Sequence, residues 1–410
     1  MRILLTCHFP LTGSGSGVYT LNIAHALAKK GHDVRIIMPE NQEPDDYEEF
    51  GVHPIYFNGC NEDALDFNFP CFTTHPRSMQ TFYDLTDEQL EQYEDAFRKA
   101  VDEEMAAFRP DVIHCGHAWL MPHYALDYGV PVIITVHGTD LIGCDRSDRF
   151  DAEVKHAVED CAAIVTISKE NDQLVRDRFP QAADKCHLIL NGYNSDVFYP
   201  EVPLDELTPE RAAELRQEVL DMFGIEGEFD HIVSFAGKFA HFKGIDILLR
   251  GAQRYQRDDT VTIIAGDGEL FDEMNDLAEQ LGLENVHFVH NQPHANLRKL
   301  YSAADVSLLT SRKEPFGLVI IEAMACGAPV IGSDDGGAVD IITPEVGLLF
   351  ESENPEDLAE KVTSVLDGKA RFDREVVAEY AKDEFSQDNS IGRLIDIYED
   401  AIDHEDEPKA

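Results

Sequence analysis

Short runs rich in Val, Ile and Leu alternate with helix-period segments along almost the whole chain, and this alternation limits the fold more than any other feature. Residues 2–6 read as a first buried strand. A Gly/Ser loop then leads into 18–30, where Leu21, Ala24, Ala26, Leu27 and Ala28 recur at helical spacing. Gly31 stops that helix and 33–38 is the next strand, which completes a βαβ unit. The runs 112–115, 130–136 and 163–168 are largely apolar, as strands buried on both faces of a parallel sheet must be, and a long charged helix at 87–108 precedes them. A second series starts near residue 230. Its strands are expected at 231–236, 261–265, 286–289, 306–310 and 329–332, with helices at 245–256, 269–281, 296–304 and 318–326. Two such series predict an α/β protein of two doubly wound, Rossmann-like domains facing each other across a cleft. The expected divisions are 1–195, a linker at 196–229 with one helix at 209–223, a second domain at 230–385, and 386–410 as a C-terminal helix and acidic tail. That last helix is able to cross back to the first domain.

Charge then restricts the partners. The chain has 33 Lys+Arg against 79 Asp+Glu, a formal net charge of −46. Nucleic acid is excluded on this balance, because phosphate binding needs clustered Lys and Arg. So large a surplus also repels itself, which suits concentrated salt, where the Debye length falls to ~3 Å. At 43% hydrophobic residues the chain is too apolar for a disordered acidic protein. The opening run Met1–Leu5 ends too early for a signal peptide or a membrane span, and the eight cysteines contain no C-x-x-C pair. Buried thiols in a reducing cytoplasm are the expectation.

In open parallel sheets, ligands lie beyond the C-terminal ends of the strands, so the loops after each strand carry the chemistry. The first is Thr12-Gly13-Ser14-Gly15-Ser16-Gly17, which opens directly onto a helix. Its glycines let the backbone approach a ligand and the helix start offers free N–H groups to an anion; a plain flexible turn is the competing reading. The strongest segment is Ser311-Arg312-Lys313-Glu314-Pro315-Phe316-Gly317-Leu318-Val319-Ile320-Ile321-Glu322. Glu322 falls five residues into a helix that starts near Gly317, roughly 8 Å along its axis. The amides of Phe316, Gly317 and Leu318 would lie between the two carboxylates. That pattern suits a sugar nucleotide: Glu314 on sugar hydroxyls, the amides on the diphosphate, and Glu322 on the ribose diol. The alternative, a carboxylate on an ordinary helix surface, conflicts with the apolar residues all round Glu322. In the segment Phe235–Gly244, Lys238 and Lys243 stand five apart after a strand, in a chain with only 14 Lys. They are either solvated lysines or a cationic pair that neutralises a leaving diphosphate.

These residues resemble family 4 glycosyltransferases, the retaining, metal-independent enzymes of the GT-B fold, over essentially the full chain. The resemblance rests on Gly15-Ser16-Gly17-Val18-Tyr19, Val136-His137-Gly138-Thr139-Asp140, Asn191-Gly192-Tyr193-Asn194 through Phe198-Tyr199-Pro200, Lys243-Gly244, and the Glu314-x7-Glu322 segment. It implies an acceptor-side first domain and a nucleotide-sugar-binding second domain. It further implies that His137, Lys238, Lys243 and Glu314 serve catalysis, and that Gly15, Ser16, Phe316, Gly317, Leu318 and Glu322 hold the donor. No metal or other cofactor is expected. The implied partners are a nucleotide-sugar donor and an acceptor that is a sugar, a lipid-linked group or a small molecule. Relatives carry Arg where this chain has Lys238, which loses the bidentate fork. Many carry Gly where it has His290, on the edge expected to read the base.

Two further clusters have bland and functional readings. His114, His117, His123 and His137 lack the carboxylate spacing of a zinc motif, so they read as cleft-lining or packed histidines. Residues 68–78 form a long irregular segment whose Thr, His75 and Arg77 could hold the acceptor, or form an ordinary surface loop; Arg77 is the candidate acceptor contact. The competing functions are a sugar-nucleotide 2-epimerase and a non-catalytic sugar-nucleotide-binding protein. With this charge, strong electrostatic docking to anionic membranes is not expected.

Overall fold

The computed structural model describes residues 1–405 apart from 73, 74, 191, 313 and 315. Thr73 and Thr74 of the irregular segment, Asn191, Lys313 and Pro315 of the quoted motifs, and 406–410 of the acidic tail therefore lie outside the described residues. The chain forms two compact units, Met1–Leu190 with Ile391–Ala410, and Asn191–Ser390.

The first unit is built on a seven-stranded sheet of order β3-β2-β1-β4-β5-β6-β7. Its strands are β1 (Arg2–Thr6), β2 (Asp33–Glu40), β3 (Gly51–Tyr56), β4 (Val112–Cys115), β5 (Val132–Val136), β6 (Ala163–Thr166) and β7 (Cys186–Leu188). Every pairing is parallel. The second unit has six strands in the order β10-β9-β8-β11-β12-β13, again all parallel. These are β8 (His231–Ala236), β9 (Thr260–Ala265), β10 (Val286–Val289), β11 (Val306–Leu309), β12 (Val330–Ser333) and β13 (Gly347–Phe350). Both sheets are doubly wound, as the two βα series predict.

Three strands were not among those expected from the sequence: β3, β7 and β13. All three are edge strands. Gly51–Tyr56 contains His53 and Pro54 and is half-exposed along most of its length, which only an edge tolerates. The helix after β1 spans Gly15–Lys29, starting earlier than its apolar period, because Ser14 caps it by accepting the Gly17 N–H at 3.1 Å.

The segment 196–229, expected as a linker, packs into the second unit. Its helix Pro209–Phe223 buries Leu215, Val219 and Leu220, and Glu201 pairs with Arg298 at 2.8 Å. The last helix, Gln387–Glu405, returns to the first unit, where Ile391, Leu394, Ile397, Tyr398 and Ala401 join its core. Among the described residues, no helix is long and apolar enough to cross a membrane.

Candidate active site

Each sheet has one point at which the strand order reverses, and there the loops after two neighbouring strands diverge to leave a crevice. In the second unit this point lies between β8 and β11, so the loop after β8 and the loop after β11 form its walls. Arg312 fastens the two loops together. Its amide donates to Phe242 O (2.6 Å), its Nη1 to His241 O (2.7 Å), and its fork grips Asp246 at 2.9 and 3.0 Å with Glu353 on the other side. Thr310 Oγ1 adds a bond to Lys243 O at 3.0 Å.

Between these walls, Lys243 Nζ donates to Glu314 Oε2 at 2.5 Å, with both side chains largely buried. The sequence reading gave these two residues separate partners, the diphosphate and the sugar. Convergence of their loops at the reversal point also makes each the other's partner. Lys238, on the same loop, is exposed. Glu314 is held from behind by residues that motif reading overlooked. Gly337 N–H donates to Glu314 O at 2.6 Å, and a Cβ on Gly336 or Gly337 would lie 2.3 Å from Glu314 O or 2.5 Å from Phe316 Cα. Asp334-Asp335-Gly336-Gly337 after β12 is a visible turn signal, but only the folded loop shows what it supports.

The helix Leu318–Ala325 follows, with Gly317 at φ 96° before it. Among the described residues, the amides of Phe316, Gly317 and Leu318 donate to no acceptor. One turn on, burial pushes the Glu322 carboxyl up to about 7, and among the described residues no cation or donor offsets this. A half-buried carboxyl in that state is set to accept donors from outside the protein. His290, beyond β10, hydrogen-bonds Asp267 through Nδ1 at 2.6 Å and stacks on Phe271 with ring centroids 4.6 Å apart.

In the first unit the strand order reverses between β1 and β4. The glycine loop after β1 divides its labour. A Cβ on Gly17 would sit 2.1 Å from Pro10 O, so that residue is demanded by packing, whereas Gly15 faces open space. Ser16 is engaged internally through its carbonyl, which accepts from Thr20 Oγ1 at 3.0 Å. His137 follows β5, edge-to-face with Tyr19 at 5.3 Å, and burial lowers its pKa to about 4. His114 is structural: its nitrogens meet Tyr398 Oη (2.6 Å) and Thr135 Oγ1 (2.7 Å). Arg77 is also engaged, its fork on buried Glu40 at 2.5 and 3.2 Å, so this guanidinium locks the 68–78 segment to the end of β2.

Comparison with known proteins agrees with this layout. The model described as Glycosyltransferase Family 4 matches residues 13–197, and that described as Glycosyl transferases group 1 matches 225–384. An uncharacterized glycosyltransferase of Methanocaldococcus jannaschii is 28% identical over 96% of both chains. A D-inositol 3-phosphate glycosyltransferase of Mycobacteroides abscessus is 32% identical over 67% of this chain and 62% of its own. Among solved structures, sucrose-phosphate synthase from Thermosynechococcus elongatus superposes with TM-score 0.68 at 20% identity, covering 98% of this chain and 100% of that one. Anabaena HepE in complex with UDP and glucose gives 0.64 at 19%, with 98% and 100% covered. With the family 4 model on its first unit and the group 1 model on its second, the chain belongs to the family 4 type of glycosyltransferases, enzymes of two Rossmann-like domains with the GT-B fold.

Proposed function

We propose that this enzyme moves a sugar from a nucleoside-diphosphate donor to an acceptor hydroxyl with retention of anomeric configuration and without a metal ion. The observation that carries the reading is the second unit's crevice: a largely buried Lys243–Glu314 pair and, among the described residues, three amides and a Glu322 carboxyl without a partner. These are the complements of a diphosphate, a sugar and a ribose diol. In the reaction, the acceptor oxygen bonds to the anomeric carbon as the carbon–phosphate oxygen bond breaks on the same face. The diphosphate leaves with the electron pair and takes the acceptor's proton. Lys243, Lys238 and the 316–318 amides stabilise the charge that develops on it, and Glu314 orients the sugar. The resemblance assigns the sugar to His137 and the donor's phosphates to Gly15 and Ser16. Arg77 supports the acceptor loop from its place against Glu40. No feature favours the epimerase or the non-catalytic alternative.

The net charge of −46 supports work in concentrated salt, and eight free cysteines, seven of them buried, suit a reducing cytoplasm. The test is incubation with UDP-, GDP- and ADP-sugars in molar KCl plus a chelator, with the released sugar's anomer read by NMR before it mutarotates. The expected product keeps the donor's configuration. An inverted or C2-epimerised product, or a strict need for metal, overturns the proposal.

A further inference from the structure

The irregular segment 68–78 carries one histidine, His75, which is 2% exposed. Its ring stacks on Phe9 with the planes 13° apart and meets Phe69 edge-on, at centroid distances of 6.4 and 5.1 Å. Both ring nitrogens are bonded, and their partners fix the tautomer. The Arg77 N–H can only donate, so Nδ1 accepts it at 3.1 Å; the Thr12 carbonyl can only accept, so Nε2 holds the proton and donates to it at 3.2 Å. The first bond is local, and the second reaches the glycine loop after β1. Gly13 is fitted to that contact: its φ is 93°, and a Cβ there would lie 2.9 Å from His75 Nε2. Behind His75 the segment is pinned to the end of β2. Arg77 grips Glu40, and its carbonyl accepts from Asn41 Nδ2 (3.3 Å) and Asn68 Nδ2 (2.8 Å). Polar contacts therefore run from Glu40 through Arg77 and His75 to Thr12, two residues before Ser14, the cap of helix Gly15–Lys29.

We propose that His75 is a positioning residue for the glycine loop: it holds Thr12 and Gly13 so that the backbone at Gly15 and Ser16 stays in place for a donor's phosphates. With both nitrogens engaged, His75 is not available to an acceptor, the role that its sequence position allowed. Burial lowers its pKa from 6.5, so the ring is neutral near pH 7. Among the described residues, the charges that act on it are Arg77 on its own segment, which favours the neutral ring, and Glu40 at the end of β2, which opposes this. The loop after β1 presents only the Thr12 carbonyl and the Phe9 ring. A proton taken up at Nδ1 removes the acceptor of the Arg77 N–H and sets a second cation beside that guanidinium, which loosens the link to the loop at acid pH. The inference rests on the sugar-transfer reading only for the ligand that the loop serves.

The test compares two amide variants of the full chain. His75→Asn keeps an acceptor for the Arg77 N–H, as an Asx turn does, but is too short to reach Thr12; His75→Gln is long enough to donate to the Thr12 carbonyl. Hydrogen exchange over residues 11–17, read by mass spectrometry, should be about fivefold faster or more in His75→Asn and close to the wild-type rate in His75→Gln. Gly13→Ala presses on the same contact from the loop's side and should also speed exchange, which keeps the test open if His75→Asn does not fold. With UDP-, GDP- and ADP-sugars in molar KCl, the donor's KM should rise about fivefold or more in His75→Asn, with much of the loss recovered in His75→Gln. Below pH 6.5 the wild-type KM should climb more steeply than that of His75→Gln, which has no ring to protonate, while Glu322 contributes equally to both. Equal exchange in all the proteins, an Asn variant as good as the Gln variant, or parallel pH profiles overturns the proposal. If exchange follows this order while the wild type turns over no nucleotide sugar, the transferase reading fails and His75 still positions the loop. If the wild type turns over a nucleotide sugar while exchange ignores His75, the proposal fails and the transferase reading stands.

Discussion

Glu322→Gln should make the free enzyme more stable, chiefly at neutral to alkaline pH. Burial moves the Glu322 carboxyl from an ordinary value of 4.5 to about 7, with no partner among the described residues to offset it. Between those two values the folded protein keeps a proton that the unfolded chain has released, so stability falls as pH rises through this window. Above pH 7 the whole penalty is present. At 1.36 kcal/mol per tenfold, it amounts to about 3 kcal/mol. Glutamine keeps the shape and loses the charge, but its amide carries a desolvation cost of its own, leaving a net gain of about 1–3 kcal/mol. For a unit of 200 residues that is a rise in Tm of about 3–8 °C at pH 8. Differential scanning fluorimetry of both proteins at pH 8 and pH 5 reads this directly. The gap should shrink to about a quarter at pH 5, just above the unfolded value, where folded Glu322 is protonated. A gain that is the same at both values, or a loss at pH 8, would show that the carboxylate has a partner or is well hydrated, and would refute the reasoning.

Other expectations follow from the same geometry. Glu314→Ala should lower kcat by about 10²–10³ while nucleotide affinity changes only a few-fold, because its carboxylate orients the sugar and not the nucleoside; kinetics beside calorimetry separates the two. Arg312→Ala should cost about 2–4 kcal/mol in urea unfolding, since it frees the loops after β8 and β11 and strands Asp246 at partial burial. Gly17→Ala should cost more than about 2 kcal/mol, because its Cβ would lie 2.1 Å from Pro10 O. Gly15→Ala should instead hold or raise stability by up to about 1 kcal/mol, and any loss should appear in the donor's KM.

The sequence carried the fold's interior better than its margins. The strands β1, β4, β5, β8 and β11 lie inside their sheets, and burial on both faces writes itself as an apolar run. The edge strand Gly51–Tyr56 leaves no such trace, and the helix Pro209–Phe223 was legible as a helix but assigned to a linker, because its buried face is only three residues. In the site, Glu314, Lys243 and Glu322 were legible from their spacing and from their place at strand ends. That Lys243 and Glu314 pair was not, because it depends on two strands about 70 residues apart becoming neighbours. Arg312 stood inside the quoted motif without a role, since its partners His241, Asp246 and Glu353 come from two other loops. His117 was read as a cleft-lining or packed histidine; only atomic contacts distinguish a satisfied imidazole from an orphaned one.

The central claim is that the second unit's crevice binds a nucleoside diphosphate through its own residues. Isothermal titration of the full chain with UDP, GDP and ADP in molar KCl and chelator tests it most directly. One-to-one binding of at least one of them is predicted, weakened about tenfold or more by Glu322→Ala and weaker in the wild type as pH falls below 7, where the carboxyl takes up its proton. Absence of binding to all three, or an affinity indifferent to Glu322, would contradict it.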